Sequence, residues 1–112
     1  MKTIIAGSRN ITDYEQVLEI VCDSGIVISE IVSGGARGVD RIGERIAERY
    51  SIPVVRFIPD WSIGRSAGHV RNRQMAEYAD ALIAAWDGYS PGTRNMIDTA
   101  KRLGLLVHIG IV

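Results

Sequence analysis

The sequence predicts an α/β fold built on a parallel sheet, and three observations carry that reading. Short apolar runs alternate with helix-patterned, amphipathic segments from one end of the chain to the other. The apolar runs are nearly continuous, as in strands covered on both faces, rather than alternating with polar residues. The 112 residues, 46% hydrophobic and 23% charged, suit one globular domain spanning 1–112. A chain of this size buries roughly 65% of its unfolded surface, enough for a core without disulfide staples.

The elements follow in order. "KTIIAG", Lys2 to Gly7, is a short buried-strand run. "TDYEQVLEIVCDSG" is a helix opened by a capping box of Thr12 and Glu15, with Tyr14, Val17, Leu18 and Val21 on one face and Gly25 as terminator. "VISEIVSGG" is the second strand. "VDRIGERIAERY" is amphipathic: Val39, Ile42, Ile46 and Tyr50 line one side, and Arg41, Glu44, Arg45, Glu48 and Arg49 the other. "IPVVRFIP", bracketed by Pro53 and Pro59, is the third strand, and Ser66 to Tyr78 the third helix. "DALIAAWDG" is an almost wholly apolar fourth strand. "SPGTRNMIDTAKRLG" is the fourth helix, with Ser90 as N-cap, Pro91 first and Gly104 as stop. "LLVHIGIV" is the fifth strand.

Strands joined by right-handed helical crossovers give a Rossmann-like three-layer sandwich, a five-stranded parallel sheet with helices on both faces. The order 3-2-1-4-5 puts the switch point between strands 1 and 4, where such sheets bind ligands.

Composition narrows the function. No apolar run approaches the ~18 residues of a membrane span. The apolar stretch in "MKTIIAGSRN" is too short for a signal-peptide core, so a cytoplasmic location is expected. The single cysteine, Cys22, excludes an internal disulfide and a cysteine-rich zinc site, and reads as an inert helix residue. A net charge of zero argues against a broad nucleic-acid-coating surface. The basic residues are eleven arginines and two lysines, and arginine suits bidentate recognition of phosphate or carboxylate.

Every strand-to-helix loop of such a fold opens on one edge of the sheet, and four of them have unusual composition. "GSRNIT" follows strand 1: Gly7 admits a close ligand, Ser8 offers a hydroxyl and Arg9 a fork of donors, although a plain capped turn fits equally well. "VSGGARGVD" follows strand 2. Ser33 precedes Gly34, Gly35, Ala36, Arg37 and Gly38, three glycines where an ordinary turn needs one, at a helix start whose N–H groups favour anions. The reading is a phosphate cradle. Asp40, in the first turn, either fixes the loop or meets a ribose hydroxyl.

In "DWSIGRSAGHVRNRQM", Trp61 stacks on a base or packs at the rim. Arg71 lies on one helical stripe with Ala67, Met75 and Tyr78, an unpaired charge that belongs in the ligand cleft unless it snorkels to the surface. Asn72 adjoins it. His69 reads as a loop residue, and no second histidine or cysteine has metal-ligand spacing to it. In "WDGYSPGTRNM", Trp86 and Asp87 end the central strand. The cap explains Ser90 and Pro91 but not Gly92 and Thr93, glycine being costly early in a helix. Arg9, Arg37, Arg65, Arg71, Arg73 and Arg94 fall in or beside these loops, which suggests a local anion funnel.

There is no G-x-G-x-x-G after strand 1 and no acidic residue ending strand 2, against a dinucleotide redox site, and no G-K-[ST] of a P-loop. No metal and no cofactor are implied, and no catalytic set can be placed.

Together, "GSR", "SGGARGVD", "AGHVRNRQM" and "WDGYSPGT..MI..A" resemble the YspA-type (cpYpsA-related) branch of the SLOG superfamily, in the right order over nearly the whole chain. The resemblance implies a bacterial or phage Rossmann-like domain that binds or senses a nucleotide-derived ligand, such as an ADP-ribose-like signal, and associates as a homo-oligomer. LOG-type phosphoribohydrolases, which are similar, carry P-G-G-x-G-T-x-x-E. Arg71 stands for their helix-3 arginine and Gly92-Thr93 for their G-T, but the glutamate position is Met96. Asp98, two residues on, lies roughly 200° round the helix and cannot replace it. N-glycosidic hydrolysis is therefore the alternative rather than the first reading. Ser33 to Asp40 also resembles S-G-x-A-R-G-I-D of DNA-processing protein A, a single-stranded DNA binder. Neutral charge disfavours that partner here.

Overall fold

In the computed structural model, which describes residues 1–112, five parallel strands run in the order β3-β2-β1-β4-β5. They are β1 (Lys2–Gly7), β2 (Glu30–Ser33), β3 (Val54–Arg56), β4 (Ala81–Trp86) and β5 (Leu106–Ile111). The helices are α1 (Tyr14–Asp23), α2 (Val39–Arg49), α3 (Ala67–Tyr78) and α4 (Pro91–Arg102), with one 3-10 turn at Trp61–Ile63 before α3. This is the expected Rossmann-like α/β sandwich.

Two apolar cores form, one on each face of the sheet. Ile4, Val32, Leu82 and Ala84 point toward α3 and α4, packing on Met75, Met96, Ile97 and Ala100. Their neighbours Ile5, Ile31, Ile83 and Ala85 point the other way, onto Val17 and Val21 of α1 and Val39, Ile42 and Ile46 of α2. The two-residue period of a strand divides each apolar run between two layers, which is why these runs carry no polar side. β1 pairs with β4 from Thr3↔Ala81 to Gly7↔Ala85, so Gly7 and Ala85 finish together at the carboxyl edge.

Several boundaries differ from the sequence expectation. Asp13, not Thr12, caps α1: its carboxylate accepts from the Gln16 N–H at 3.2 Å. Adjacent Thr and Asp are both capping residues, and the backbone turns one position later. β2 begins at Glu30, leaving Val27 exposed, and β3 keeps only three residues of the expected run. Tyr50 lies beyond α2 and is exposed rather than part of its buried side. Cys22 sits exposed on α1. No helix is long and apolar enough to cross a membrane.

Candidate functional site

The carboxyl edge of the sheet opens into a cavity of about 880 Å³, lined from the β1–α1, β2–α2 and β4–α4 connections and from the 3-10 turn and α3. That volume falls in the range of small-molecule and cofactor sites. A recess of about 340 Å³ adjoins it and shares Arg9, Ala36, Arg37, Trp61 and Arg71.

The loops are stitched to one another at Ser8. Its N–H donates to the Ala85 carbonyl at 3.1 Å, and its carbonyl accepts from the Ile11 N–H at 3.3 Å. Its hydroxyl accepts from the Asp87 N–H at 3.1 Å and lies 3.1 Å from the Ser90 hydroxyl. Gly38 adopts φ +79°, and a Cβ there would stand 2.6 Å from the carbonyl oxygens of Ser8 and Arg9. Only glycine lets the β2–α2 loop lie this close to the β1–α1 loop. The β1–α1, β2–α2 and β4–α4 loops thus form one connected rim.

The β2–α2 loop uses part of its own donor set. The Gly35 N–H donates to Ser33 Oγ at 3.1 Å, and the Ala36 N–H to Asp40 Oδ2 at 3.2 Å. Ser33 is buried beneath the loop and donates to Glu44 Oε2 at 2.7 Å, so it braces the loop rather than facing the cavity. Gly34 and Gly35 border the smaller recess and not the main cavity. The N–H groups of Arg37 and Gly38 make no hydrogen bond within the protein, and the Arg37 side chain is exposed on the cavity wall.

Asp40 and Arg71 are the two charged residues of the cavity that are buried, at 4% and 9% exposure. Burial pushes the Asp40 carboxyl from 3.8 up to about 6; the Ala36 N–H and the nearby Arg71 and Arg9 guanidinium groups oppose the rise, while Glu44 adds to it. Arg71 donates from Nη1 to the Gly34 carbonyl at 2.5 Å and from Nε to Asn72 Oδ1 at 3.0 Å. Asn72 donates in turn from Nδ2 to Asn95 Oδ1 at 2.9 Å, tying α3 to α4. Asn72 therefore positions Arg71 while lining the cavity itself.

On the opposite wall Asp87 is held low, at about 2, by the N–H groups of Ser90 and Tyr89, each donating at 2.8 Å. Ser90 occupies the N-cap position of α4, but its hydroxyl donates to Asp87 Oδ2 at 2.9 Å and does not cap the helix. The first turn of α4, with Gly92 and Thr93, meets the cavity with no side-chain cap. A Cβ on Gly92 would touch nothing in the protein, so its small size answers to no internal contact.

Of the six arginines expected at a funnel, Arg9, Arg37 and Arg71 line the cavity. Arg65 does not reach it. Arg73 lies outside beside Glu77 at 3.7 Å, and Arg94 covers the Trp86 ring at 5.4 Å. Trp86 donates from its indole nitrogen to the Ser90 carbonyl at 3.1 Å and packs on the core, away from the cavity where a base-bordering role would place it. Trp61 does border the cavity, 60% exposed on the 3-10 turn. His69 lies on the first turn of α3, not in a loop, and also lines it. Ala6, Asn10, Thr12, Gly68, Met75 and Met96, none of them expected at the site from sequence, also line the cavity. Met75 and Met96 make its floor apolar, and Met96 fills the position a glutamate holds in the G-T-x-x-E pattern. No group of three or more His, Cys, Asp or Glu side chains forms that could hold a metal ion.

Residues 1–64, more than half of the chain, match the family described as YspA, cpYpsA-related SLOG, and the chain belongs to that family. The match spans the β1–α1 and β2–α2 loops; Arg71 and the α4 residues lie beyond it. No curated protein and no solved structure matches the chain.

Proposed function

We propose that this protein binds or senses a nucleotide or nucleotide-derived ligand in the cavity at the carboxyl edge of the sheet. Family membership points to a nucleotide-related ligand in general. The observation that carries the finer reading is the gathering of Arg9, Arg37 and Arg71 with the first turns of α2 and α4 around one cavity of a neutral chain. Arg9 and Arg37, with the unused N–H groups of Arg37 and Gly38, take an anionic group, and the α4 start with Thr93 takes another. Trp61 and the Met75 side chain offer a stacking and apolar border for a base. A homo-oligomer belongs to the same reading, because edge strand β5 leaves Leu106 and Ile111 exposed. Light scattering on the eluting protein tests it.

The experiment is thermal unfolding against AMP, ADP, ADP-ribose, NAD, cyclic nucleotides and a short single-stranded oligonucleotide. A ligand at 100 times its dissociation constant adds about 2.7 kcal/mol. A rise with one nucleotide derivative supports the reading, and a flat panel counts against it.

N-glycosidic hydrolysis of a nucleoside monophosphate is the second reading, favoured by one observation. Asp40 is a buried cavity carboxyl that titrates at about 6, near the pH at which a carboxyl exchanges protons usefully. Against it, the α4 position where related hydrolases carry glutamate is Met96. Release of free base from AMP tests this reading directly.

A further inference from the structure

Asp40 and Arg71 flank Gly34: a Cβ on that glycine would stand 2.5 Å from Arg71 Nη1 and 2.8 Å from Asp40 Oδ2. Despite this closeness they form no ion pair, the chain's two salt bridges being Arg56–Glu44 and Arg73–Glu77. Each is tethered instead to uncharged groups: Asp40 Oδ2 to the Ala36 N–H, Arg71 to the Gly34 carbonyl and the Asn72 amide. Asp40 Oδ1 and Arg71 Nη2 are left without a hydrogen-bond partner in the protein, and both residues line the cavity. Both residues are about nine-tenths buried, yet these two atoms stay open to the cavity, since the one buried side-chain polar atom without a partner is Tyr14 Oη; a ligand there must replace the hydrogen bonds of water.

The pair limits what that partner is. A phosphate donates no hydrogen bond at neutral pH, and beside Arg71 it would also abut the Asp40 carboxylate. An ammonium accepts none and would abut Arg71. Two adjacent hydroxyls satisfy both, one donating to Oδ1 and the other accepting from Nη2, with no added charge in a buried place. An amide-like base edge also presents a donor beside an acceptor. The groups nearest the pair's tethered atoms are the Gly34 carbonyl, the Ala36 N–H and the Asn72 amide, while the apolar surface of the adjoining recess lies on Ile58, Pro59 and Trp61, which suits a base placed beside the sugar.

We propose that Asp40 and Arg71 recognise the vicinal hydroxyls of a ribose, so that the site selects ribonucleotide-derived over deoxyribonucleotide-derived ligands. The inference rests on the nucleotide reading above and adds to it the sugar and the residues that read it.

The test is calorimetric titration at pH 7.5 with matched pairs: AMP and 2′-deoxy-AMP, GMP and 2′-deoxy-GMP, ribose 5-phosphate and 2-deoxyribose 5-phosphate. Loss of a hydrogen bond to a charged group predicts that the deoxy member binds about 10- to 100-fold more weakly. In Asp40→Asn that ratio should shrink toward one, while the ratio between AMP and GMP stays as it was. Equal binding of ribo and deoxy members to the unaltered protein overturns the ribose assignment and leaves nucleotide binding standing. If AMP and GMP are distinguished only while Asp40 is present, the pair reads a base edge and the assignment is equally wrong. If no member of any pair binds, the nucleotide reading itself fails and takes this inference with it.

Discussion

Asp40→Asn should make the ligand-free protein more stable at neutral pH. A carboxyl moved from 3.8 to about 6 is one whose ionisation costs about 3 kcal/mol more in the folded protein than in the unfolded chain. The folded value lies above the unfolded one, so this group's contribution to stability is fully present below pH 3.8 and is lost as pH rises through about 6. Asparagine keeps an oxygen that accepts from the Ala36 N–H and carries no charge to desolvate. The variant should therefore gain about 1–3 kcal/mol at pH 7.5, the lower figure allowing for an asparagine Nδ2 that finds no acceptor in the protein where Asp40 Oδ1 finds no donor. At about 4 °C per kcal/mol for a chain of this length, the midpoint rises by about 4–12 °C. By pH 4.5 the native carboxyl is mostly protonated, and the advantage of the variant should shrink by about 2 kcal/mol. The assay is denaturant or thermal unfolding of both proteins at pH 4.5, 6 and 7.5. Comparing the two at each pH cancels the other carboxylates. A variant no more stable at pH 7.5, or a difference that does not move with pH, would show that Asp40 carries no burial cost and refute the reasoning.

Three further outcomes follow from the same geometry. Arg37→Ala should weaken nucleotide binding by about tenfold or more while leaving the unfolding midpoint within about 0.5 kcal/mol of the parent, since the side chain is exposed; unchanged affinity sinks its anion role. Gly7→Ala should cost about 3 kcal/mol or more in chemical denaturation, because its Cβ would lie 2.0 Å from the Ala85 carbonyl oxygen and 2.7 Å from Val39 Cγ2. A loss below about 1 kcal/mol would mean that β1 and β4 separate more easily there than the packing implies. Asn72→Ala removes the acceptor of Arg71 Nε and the link to Asn95, for a stability loss of about 1–3 kcal/mol. Binding should weaken with it, and intact binding would mean that Arg71 holds its place without Asn72.

The sheet was legible because each strand is an unbroken apolar run between helices of clear period, and burial on two faces leaves no other arrangement for such runs. The boundaries were less so: nothing in the adjacent Thr12 and Asp13 says which will cap α1, and a strand pairs only as far as its neighbour allows. Arg71 was legible from a stripe of four-residue spacings ending in a charge. Arg73, two residues on, is about 200° round the same helix and points outward, so being near a loop in sequence does not bring an arginine to the cavity. Trp86 ends an inner strand like a site residue, yet its indole N–H is taken by the Ser90 carbonyl, a partner that exists only once the β4–α4 turn has closed. Asn95 left no sequence signal, since its one visible role is to answer Asn72 across two helices.

The two aspartates at the cavity show how one residue type separates into two tasks. Asp87 is largely committed within the protein: two amides on Oδ1 and a hydroxyl on Oδ2 hold it ionised at about 2, so it shapes the β4–α4 turn. Asp40 receives one amide, keeps one oxygen free, and sits where ionisation is costly. Loop fixing alone would be served as well by asparagine, which accepts from the same Ala36 N–H without the burial cost. The carboxylate is thus more than the loop requires. Its excess faces a cavity in which the other buried charge, Arg71, also has hydrogen-bonding capacity to spare. Stability forgone beside a binding cavity is the pattern of a group kept for its ligand. The neutral-pH stabilisation of Asp40→Asn and its loss of ribose discrimination should therefore appear in the same variant.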